Sequence, residues 1–308
     1  MLSNSIFCQC PYINLGPDID LSCNDNCIDI VPSYSVIRET TSYNVTSIPY
    51  NPEPYTSGIT YNIAIDDRWS SVVTLPFTFC FFNQTYNQYV ISTNGIISFN
   101  TSYAGLYSPW PFTLPIPTNS AAPPPGFPRP MIGLYHDIDP SLGGTVRYGV
   151  IGAYPCRKLV ISFDNIPHFN CITQKSKFQI VLFEITNIIE IHVEKKQTCF
   201  NWNGGRACLG IQNDLGTLAY TPSGRNTSVY TINTAEAWRF EPSGNTNSLF
   251  QWYNTNDSSN PYNHCYSSDS TLIGVLSGSC GNNAFTIFDT LNINYSNFQL
   301  NLSQINHN

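Results

Sequence analysis

The longest patterned stretch of the chain runs from Leu75 to Pro242, where apolar runs alternate with polar turns and almost no helical periodicity occurs. At its start, the segment LPFTFCFFNQTYNQYVISTNGIISF (Leu75–Phe99) holds two apolar runs around the polar residues 83–88. A second turn signal, Asn94-Gly95, follows. Asn-Gly between apolar runs is the strongest short hairpin signal, because both residues tolerate positive φ. The pattern predicts a hairpin-like β unit with a loop at 83–88.

Other apolar segments of this stretch also predict strands. Both faces of Phe178–Phe183 are largely apolar, which predicts a central strand, whereas the alternation in Ile188–Glu194 predicts one buried and one solvent-facing side. Ala207–Gln212 and Thr217–Thr221 are typical of a hairpin around residues 213–216. Further strands are predicted at Val36–Ile48, Trp69–Phe82, Tyr89–Phe99, Met131–Tyr135, Thr145–Ile151, Leu159–Phe163 and Ala235–Pro242.

Residues 109–130 interrupt the strands with many prolines, three of them in succession at 123–125. Because proline cannot donate a ladder hydrogen bond, this stretch is predicted to be a long surface loop, a place that often carries recognition. Many short strands separated by turns favour an all-β fold, an antiparallel β-sandwich of jelly-roll or immunoglobulin-like type. We predict a Cys/Asp-rich segment at 1–32, the sandwich module at 33–244, and a small Ser/Asn-rich β appendage of immunoglobulin-like type at 245–308.

The composition limits the classes of partner that are expected for this protein. Only 11% of the residues are charged, against ~25% in ordinary soluble domains, and the net charge is −7. No Lys/Arg cluster occurs, so no nucleic-acid partner is expected. No apolar run reaches the length of a membrane span. The N-terminus, MLSNSIFCQCPYINLG, lacks the basic start and the long apolar run of a signal peptide.

The chain holds 11 cysteines, an odd number, so at least one thiol is left over or pairs between chains. Disulfides in an oxidising compartment are the favoured interpretation. Separation alone suggests three local pairs, although spacing does not determine connectivity. These pairs are Cys156/Cys171, Cys199/Cys208 and Cys265/Cys280. The alternative is a zinc site of four thiolates, Cys8, Cys10, Cys23 and Cys27.

Seven Asn-x-Ser/Thr triplets are candidate N-glycosylation sites in an extracellular context. A chain this rich in Asn, Ser and Thr also produces such triplets by chance, so use of every one of them is not expected. The candidates are Asn44, Asn83, Asn100, Asn226, Asn256, Asn294 and Asn301.

Three segments in this order carry a family resemblance: Leu75–Phe99, GLYHDIDPSLGGTVRYG at Gly133–Gly149, and FQIVLFE at Phe178–Glu184. Together they resemble the nidogen-type extracellular β domain. More closely, Ser42–Gly244 resembles a module of large secreted surface proteins of Bacteroidetes, which often carry gliding-motility-type sorting domains. This closer similarity rests on TSYNVTSIPYNP (41–52), CRKLVISF (156–163), CFNWNGG (199–205), LGIQNDLGTLAYTPSGRNT (209–227) and EAWRFEPSG (236–244).

The resemblance implies surface display without catalysis. The first hypothesis is therefore a non-catalytic adhesion protein, or a structural protein of a surface layer or fibre, located outside the cell or on its surface. Its partners would be other surface or fibre subunits, or cell-surface glycans and proteins, and an oligomer is compatible with this role. One alternative is a virion surface protein, such as a spike or a capsid decoration. Another alternative is a carbohydrate-binding lectin.

His136, Asp137 and Asp139 form the densest group of chemically active side chains in the sequence. Asp137 and Asp139 are candidate calcium ligands at a strand end, and carboxylates near a histidine also suit acid–base work. The structural interpretation, which we favour, is that both aspartates cap the turn before Gly143-Gly144, since no third ligand is evident. No cofactor other than this Ca²⁺ is expected.

Aromatic residues supply the candidate ligand-binding set. Trp69 follows Asp66-Asp67-Arg68 and can stack on a sugar, although a tryptophan at a loop-to-strand transition more often enters the core. Exposed aromatics beside polar amides suit carbohydrate or protein contact, whereas the bland interpretation is packing of the proline-rich loop. The residues that flank this loop are Tyr103, Tyr107, Trp110 and Phe112. Trp202-Asn203-Gly204-Gly205 is interpreted as a tight turn tied down by Cys199 and Cys208.

No catalytic motif is present. The chain lacks Gly-x-Ser-x-Gly, His-Glu-x-x-His and both glycine-rich phosphate motifs, and its 5 histidines have no ligand spacing. An enzyme is therefore not expected.

Overall fold

The computed structural model describes residues 9–22, 27–61, 65–111, 114–121, 126–253, 257–281 and 283–296. Within these residues lie 22 strands and three short 3-10 helices, the latter at Thr101–Tyr103, Pro140–Leu142 and Asn203–Gly205. The strands are β1 (Ile13–Asn14), β2 (Ile19–Ser22), β3 (Cys27–Ile30), β4 (Ser33–Tyr34), β5 (Tyr43–Ile48), β6 (Ile59–Tyr61), β7 (Val73–Phe81), β8 (Gln84–Ile91), β9 (Ile96–Ser98), β10 (Met131–Tyr135), β11 (Thr145–Ile151), β12 (Lys158–His168), β13 (Cys171–Phe183), β14 (Ile189–Lys196), β15 (Arg206–Gln212), β16 (Ala219–Tyr220), β17 (Ser228–Val229), β18 (Glu236–Pro242), β19 (Ser248–Trp252), β20 (Tyr262–Cys265), β21 (Ser270–Cys280) and β22 (Asn283–Ser296).

The chain divides into two compact units. The first comprises Met1–Cys10 and Arg38–Asn245, and the second comprises Pro11–Ile37 and Thr246–Asn308. The second unit combines both ends of the sequence, because β2 pairs with β22 and β3 pairs with β20. This division differs from the three successive segments suggested by the sequence, since pairing between distant strands leaves no local signal in composition.

The first unit is built from two seven-stranded antiparallel sheets. The front sheet has the order β16-β15-β10-β9-β8-β7, with β17 also paired to β15. The back sheet has the order β5-β18-β14-β13-β12-β11-β6. Strand β13 occupies the centre of the back sheet, which confirms the position predicted for Phe178–Phe183 from its two apolar faces.

One hydrophobic core fills the space between the two sheets. The back sheet contributes Phe163 and Phe178, whose rings stack with centroids 4.6 Å apart, and the front sheet contributes Phe79 and Leu134. All four side chains are fully buried. Two layers of strands around a shared apolar core are the arrangement expected of a β-sandwich, so the predicted fold class is confirmed.

The proline-rich stretch packs on the outer face of the front sheet. No strand occurs among its described residues, as predicted. Ile116 and Phe127 from this stretch are buried against Trp69, Met131 and Tyr135. This stretch therefore covers a second apolar cluster and shields that part of the front sheet from solvent.

The hairpin at Leu75–Phe99 forms, but its polar residues are strand and not loop. Phe82 and Asn83 both have positive φ, 47° and 60°, and Phe81 pairs directly with Gln84. This two-residue connection matches the twist of the flanking strands, so a longer loop is unnecessary. The predicted loop at 83–88 is wrong because the polar side chains belong to the exposed part of β8. The first predicted strand, Val36–Ile48, is limited to Tyr43–Ile48.

The alternating segment Ile188–Glu194 also behaves differently from its pattern. It forms most of β14, but Glu190 and His192 on the predicted solvent face are only 3% and 2% exposed. Glu190 pairs with His192 and also with Arg239 on the neighbouring strand β18. The prediction that one side of this strand faces solvent is therefore wrong, because its polar side chains are buried in a hydrogen-bonded network.

The second unit contains a four-stranded sheet with the order β19-β21-β22-β2, in which β2 runs parallel to β22. Phe250, Trp252, Leu276 and Leu291 supply its buried side chains. Two two-stranded ribbons, β1-β4 and β20-β3, complete the unit among its described residues. This arrangement differs from the two facing antiparallel sheets of an immunoglobulin fold.

Disulfides connect residues that are distant in the sequence. The described pairs are Cys10–Cys156, Cys27–Cys265 and Cys171–Cys199, and Cys80 and Cys280 are also disulfide-bonded. Cys208 is a free, buried thiol. The three local pairings suggested by separation are wrong. The four-thiolate zinc site is wrong as well, because Cys10 and Cys27 are already bonded elsewhere; Cys8 and Cys23 lie outside the described residues.

The hairpin formed by β12 and β13 gives the physical reason for one wrong pairing. Lys158 pairs with Phe183 at the open end and His168 pairs with Cys171 at the turn end. Cys156 precedes the open end, so it lies roughly 35 Å from Cys171 along the strands. A short separation in sequence therefore becomes a large distance in space.

Candidate functional site

Three aspartates from two separate loops meet at one end of the sandwich. Asp66 and Asp67 lie between β6 and β7, and Asp137 follows directly after β10. The Asp67 carbonyl accepts a hydrogen bond from the amide of Ser108, and the Asp137 carbonyl accepts one from the amide of Phe169. These backbone bonds help to hold the two loops in place, so that the carboxylates converge.

One carboxylate oxygen of each aspartate lies within 4.8 Å of the others. Burial raises the pKa of Asp137 to about 8, that of Asp66 to about 7 and that of Asp67 to about 6, and the neighbouring carboxylates add to each shift. None of the ion pairs among the described residues involves these three side chains. Without a bound cation, the raised pKa values therefore keep Asp137 mostly and Asp66 partly protonated near neutral pH, because no ion pair of the described residues neutralises the cluster.

Two buried oxygens at this cluster have no hydrogen-bond partner, Oδ1 of Asn94 and Oδ1 of Asp137. The Asn94 amide is tied to the cluster, because its Nδ2 donates to Oδ1 of Asp67 at 2.9 Å. Asp137 is 6% exposed, and its other oxygen accepts from the indole N–H of Trp202 at 2.5 Å. Carboxylate and amide oxygens are the ligands that Ca²⁺ prefers, so this donor set fits a hard cation.

The other two residues of the sequence cluster have structural contacts. Oδ1 of Asp139 accepts from the amide and the hydroxyl of Ser141 and so caps the 3-10 helix at Pro140–Leu142. His136 is buried, with Nε2 2.7 Å from the hydroxyl of Ser176. The sequence analysis favoured a capping role for both aspartates. Asp139 has this role, whereas Asp137 lies close to Asp66 and Asp67 instead.

Aromatic rings lie next to the aspartates. Trp202 donates to Asp137, and its ring lies 4.9 Å from Trp110 and 4.9 Å from Phe169 between centroids. All three rings are partly exposed. Tyr107 is 44% exposed. Burial raises the pKa of Tyr107, and the charges of Asp67 and Asp137, one from each loop, raise it further. We name this region, formed by Asp66, Asp67, Tyr107, Trp110, Asp137, Phe169 and Trp202, the acidic–aromatic end.

The remaining members of the predicted aromatic set have other roles. Trp69 is 2% exposed and stacks on Tyr103 at 5.1 Å, so its ring is not accessible to a sugar. The hydroxyl of Tyr103 contacts the backbone of Arg129 and holds the proline-rich stretch. Phe112 lies outside the described residues. Burial of Trp69 matches the bland interpretation of this tryptophan.

The sequence pattern missed Trp202 and Phe169 as members of the site. Trp202 was interpreted as a turn residue tied by Cys199 and Cys208, whereas the bond that forms is Cys171–Cys199. This disulfide joins the loop after β14 to the residues next to Phe169, and so brings the two aromatic rings together. The sequence signal for this part of the site was the WNGG turn beside Cys199, and this signal did not identify the disulfide partner of that cysteine.

A buried serine with two histidines lies behind Asp137. The hydroxyl of Ser176 is 2.7 Å from Nε2 of His136 and 2.9 Å from Nε2 of His168. Burial lowers the pKa of His168 to about 3, so this ring is neutral near neutral pH. Ser176 is itself fully buried. The hydroxyl is therefore out of reach of a substrate, despite its resemblance to a serine–histidine pair.

The candidate glycosylation sites differ in accessibility. Asn44, Asn83 and Asn294 are exposed, and Asn100 is partly buried. Asn226 exchanges two hydrogen bonds with the backbone of Ile116, so a glycan on its amide would disrupt this contact. Asn256 and Asn301 lie outside the described residues. Modification at the exposed positions stays a prediction.

Comparison with known proteins gives one match. The family model described as NIDO related matches residues 42–254, which cover the sandwich and the first strand that follows it. No curated protein and no solved structure matches the chain. No helix among the described residues is long and apolar enough to cross a membrane. The family and the disulfides fit an extracellular location. Because the match covers more than half of the sequence, the chain belongs to the NIDO-related family.

Proposed function

We propose that this protein is a non-catalytic extracellular module that acts in adhesion or as a structural component of a surface layer or fibre. The observation that carries this proposal is the NIDO-related match over residues 42–254, a region folded as a β-sandwich with distant disulfides. A disulfide-tied sandwich suits an exposed scaffold, because the bonds limit unfolding outside the cell. Its partners are cell-surface proteins or glycans, or other surface subunits.

The contact surface in this proposal is the acidic–aromatic end. Partly exposed rings of Trp110 and Trp202 offer apolar area at a small entropic cost, and such residues often dominate recognition. Loops at the end of a rigid sandwich are a common place for binding. The three carboxylates hold Ca²⁺, which would order the loops that carry Trp110 and Trp202. Asp66, Asp67, Asp137 and the amide oxygen of Asn94 are the proposed ligands.

The first test is location. Antibody against the purified protein is used for immunogold labelling of intact source cells, of their interior and of released particles. Label on the cell surface or in the matrix supports the proposal. Label confined to the cytoplasm contradicts it, and label on released particles favours the virion hypothesis.

The second test is attachment. Beads coated with the protein are counted on source cells and their matrix, against beads coated with Tyr107→Ala/Trp110→Ala. Phe288→Ala is the matched control, since it removes an exposed aromatic ring of the second unit. Loss of attachment only in the double variant is expected. Equal attachment of coated and uncoated beads would rule out adhesion.

A further inference from the structure

The first unit carries a second candidate site, away from the acidic–aromatic end. A cavity of about 400 Å³ lies on the outer face of the back sheet. Val181, Phe183, Glu190, His192 and Arg239 line it from β13, β14 and β18. The rest of the lining comes from Gln9, Ser47, Ile48, Pro49, Asn51, Glu53 and Lys158. This volume is in the range of small-ligand sites.

The floor of the cavity is a buried polar network. Oε1 of Glu190 accepts from Nε and Nη2 of Arg239, at 2.8 and 2.6 Å, and from the amide of Gln9 at 2.9 Å. Oε2 of Glu190 lies 2.9 Å from Nε2 of His192. Although burial opposes ionisation, the hydrogen bonds from His192 and Arg239 keep the pKa of Glu190 below its usual range. An ionised carboxylate only accepts hydrogen bonds, so Nε2 of His192 must donate.

His192 therefore has an open hydrogen-bonding position. Its Nδ1 is buried and has no hydrogen-bond partner among the residues that the structure describes. In the neutral ring Nδ1 accepts a hydrogen bond, and in the protonated ring it donates one. A hydroxyl group satisfies either state, because it is both donor and acceptor. Because a buried polar atom without a hydrogen-bond partner is destabilised, a ligand hydroxyl that bonds to this nitrogen would gain affinity.

The charges around the cavity are balanced. Glu190 pairs with Arg239, and Glu53 pairs with Lys158 at the opposite wall. The lining thus holds two carboxylates and two cations that already neutralise each other. A charged ligand would have to separate these pairs, whereas a neutral ligand leaves them intact.

Apolar side chains line the cavity as well, next to the polar residues Ser47 and Asn51. Ile48, Pro49, Val181 and Phe183 line the cavity beside the polar floor. A ligand that fits must therefore combine several hydroxyl groups with apolar C–H faces. We propose that the cavity over β13, β14 and β18 binds a neutral saccharide, with His192 as the hydroxyl-recognising residue and Phe183 beside the sugar ring. This inference does not depend on the acidic–aromatic end, and it places sugar recognition away from Trp69 and Trp110.

The test is saturation-transfer NMR with the full chain. The probes are glucose, galactose, mannose, fucose and N-acetylglucosamine, with acidic N-acetylneuraminic acid and cationic glucosamine as charged comparators. Binding of at least one neutral sugar, with a Kd of about 1 mM, is expected. Binding of no neutral sugar, or of the charged comparators alone, would overturn the proposal.

Two tryptophan substitutions locate the binding. Ile48→Trp enlarges a side chain that lines the cavity on the same face of the sheet as His192, whereas Asn44→Trp adds the same ring at an exposed position of β5 that does not line the cavity. Sugar binding is expected to be lost in the first variant and kept in the second. Binding that persists in Ile48→Trp would overturn the assignment. His192→Phe is expected to reduce affinity at least tenfold; an unchanged affinity in a folded variant would exclude His192.

Discussion

At the scale of single residues, glycine allows two strands of the front sheet to come close together. Gly95 has a φ of +84°, and a Cβ there would lie 2.3 Å from the carbonyl oxygen of Leu134. Gly133 has a φ of +143°, and a Cβ there would lie 2.5 Å from the carbonyl oxygen of Gly95. The sequence predicted the turn at Asn94-Gly95, but the approach of β10 to this turn appears only in the folded chain.

Gly95→Ala is therefore expected to lower the free energy of unfolding by about 3 kcal/mol, from left-handed strain and from the clash with Leu134. Gly105→Ala is the matched control, because Gly105 has a φ of +71° and nothing within 4 Å of its Cβ position. That variant is expected to lose only about 1 kcal/mol. Denaturant unfolding measures both, and equal losses would contradict the close approach.

Calcium binding at the acidic–aromatic end gives a second residue-scale prediction. Adding CaCl2 is expected to raise the Tm of the wild type, because the free energy of unfolding increases by about 2.7 kcal/mol when Ca²⁺ is a hundredfold above its Kd. Asp137→Asn is expected to remove this response, because it deletes a buried charged ligand. The measurement is differential scanning calorimetry with and without EDTA.

Asp139→Asn distinguishes two possible sets of calcium ligands, the cluster of Asp66, Asp67 and Asp137 in the structure and the pair Asp137 and Asp139 suggested by the sequence. Asparagine keeps the cap over Ser141, and Asp139 is not part of the close cluster, so this variant is expected to keep the calcium response. Loss of the response in Asp139→Asn, together with its survival in Asp137→Asn, would contradict the assignment.

At the scale of elements, sequence patterns identified strands better than their ends and faces. The two-residue turn at Phe82 and Asn83 extends β8 through residues that are polar because they face solvent. The apparent wet face of β14 is buried because Arg239 from β18 pairs with Glu190. The two errors have different causes. A run of polar residues was taken for a loop although it is the exposed part of a strand, and polar residues of β14 were assigned to solvent although a buried network also satisfies them.

The connection between β13 and the loop after β14 gives an element-scale prediction. Non-reducing peptide mass mapping is expected to recover peptides joined by Cys171–Cys199, and Cys208 is expected to alkylate only after denaturation. The variant Cys171→Ala/Cys199→Ala is expected to lose about 3.5 kcal/mol of stability by the chain-entropy relation. A linkage between Cys156 and Cys171 would contradict this topology.

At the scale of the whole molecule, the sandwich buries several charges together with its apolar core. Lys196 is almost fully buried, and its Nζ donates to the carbonyl of Tyr230 at 2.7 Å and lies over the ring of that residue. Burial lowers the pKa of Lys196 to about 7, from 10.5. Between these values the unfolded chain binds more protons than the folded chain, so this residue makes stability rise with pH.

Lys196→Met is expected to remove that rise. The difference in Tm between wild type and variant should shift in favour of the wild type as the pH increases from about 7 to about 9. The carbonyl of Tyr230 keeps the hydroxyl of Thr198 as a donor at 2.8 Å, so the variant leaves no orphan acceptor there. Scanning calorimetry at several pH values measures the difference, and a difference independent of pH would contradict a buried, titrating lysine.

Local sequence determined much of this protein. Period-two apolar patterns, Asn-Gly and glycine turns and a proline-rich interruption predicted an all-β sandwich, the central strand Phe178–Phe183 and the loop at 109–130. These features depend on neighbours within a few residues, so they are readable from the chain alone. The ordered motifs from Leu75 to Glu184 likewise indicated the nidogen-type family, and residues 42–254 match the NIDO-related family.

Tertiary structure alone decided which distant residues meet. The disulfide pairs, the joining of both chain ends in one unit, the cluster of Asp66, Asp67 and Asp137, and the cavity above Glu190 all depend on strand order and register. Register is set by packing of whole sheets, and no short segment encodes its partner across a sandwich. For this reason the sequence predicted the fold class and gave Asp137 as one candidate ligand, whereas only the folded chain brought Asp66 and Asp67 next to it.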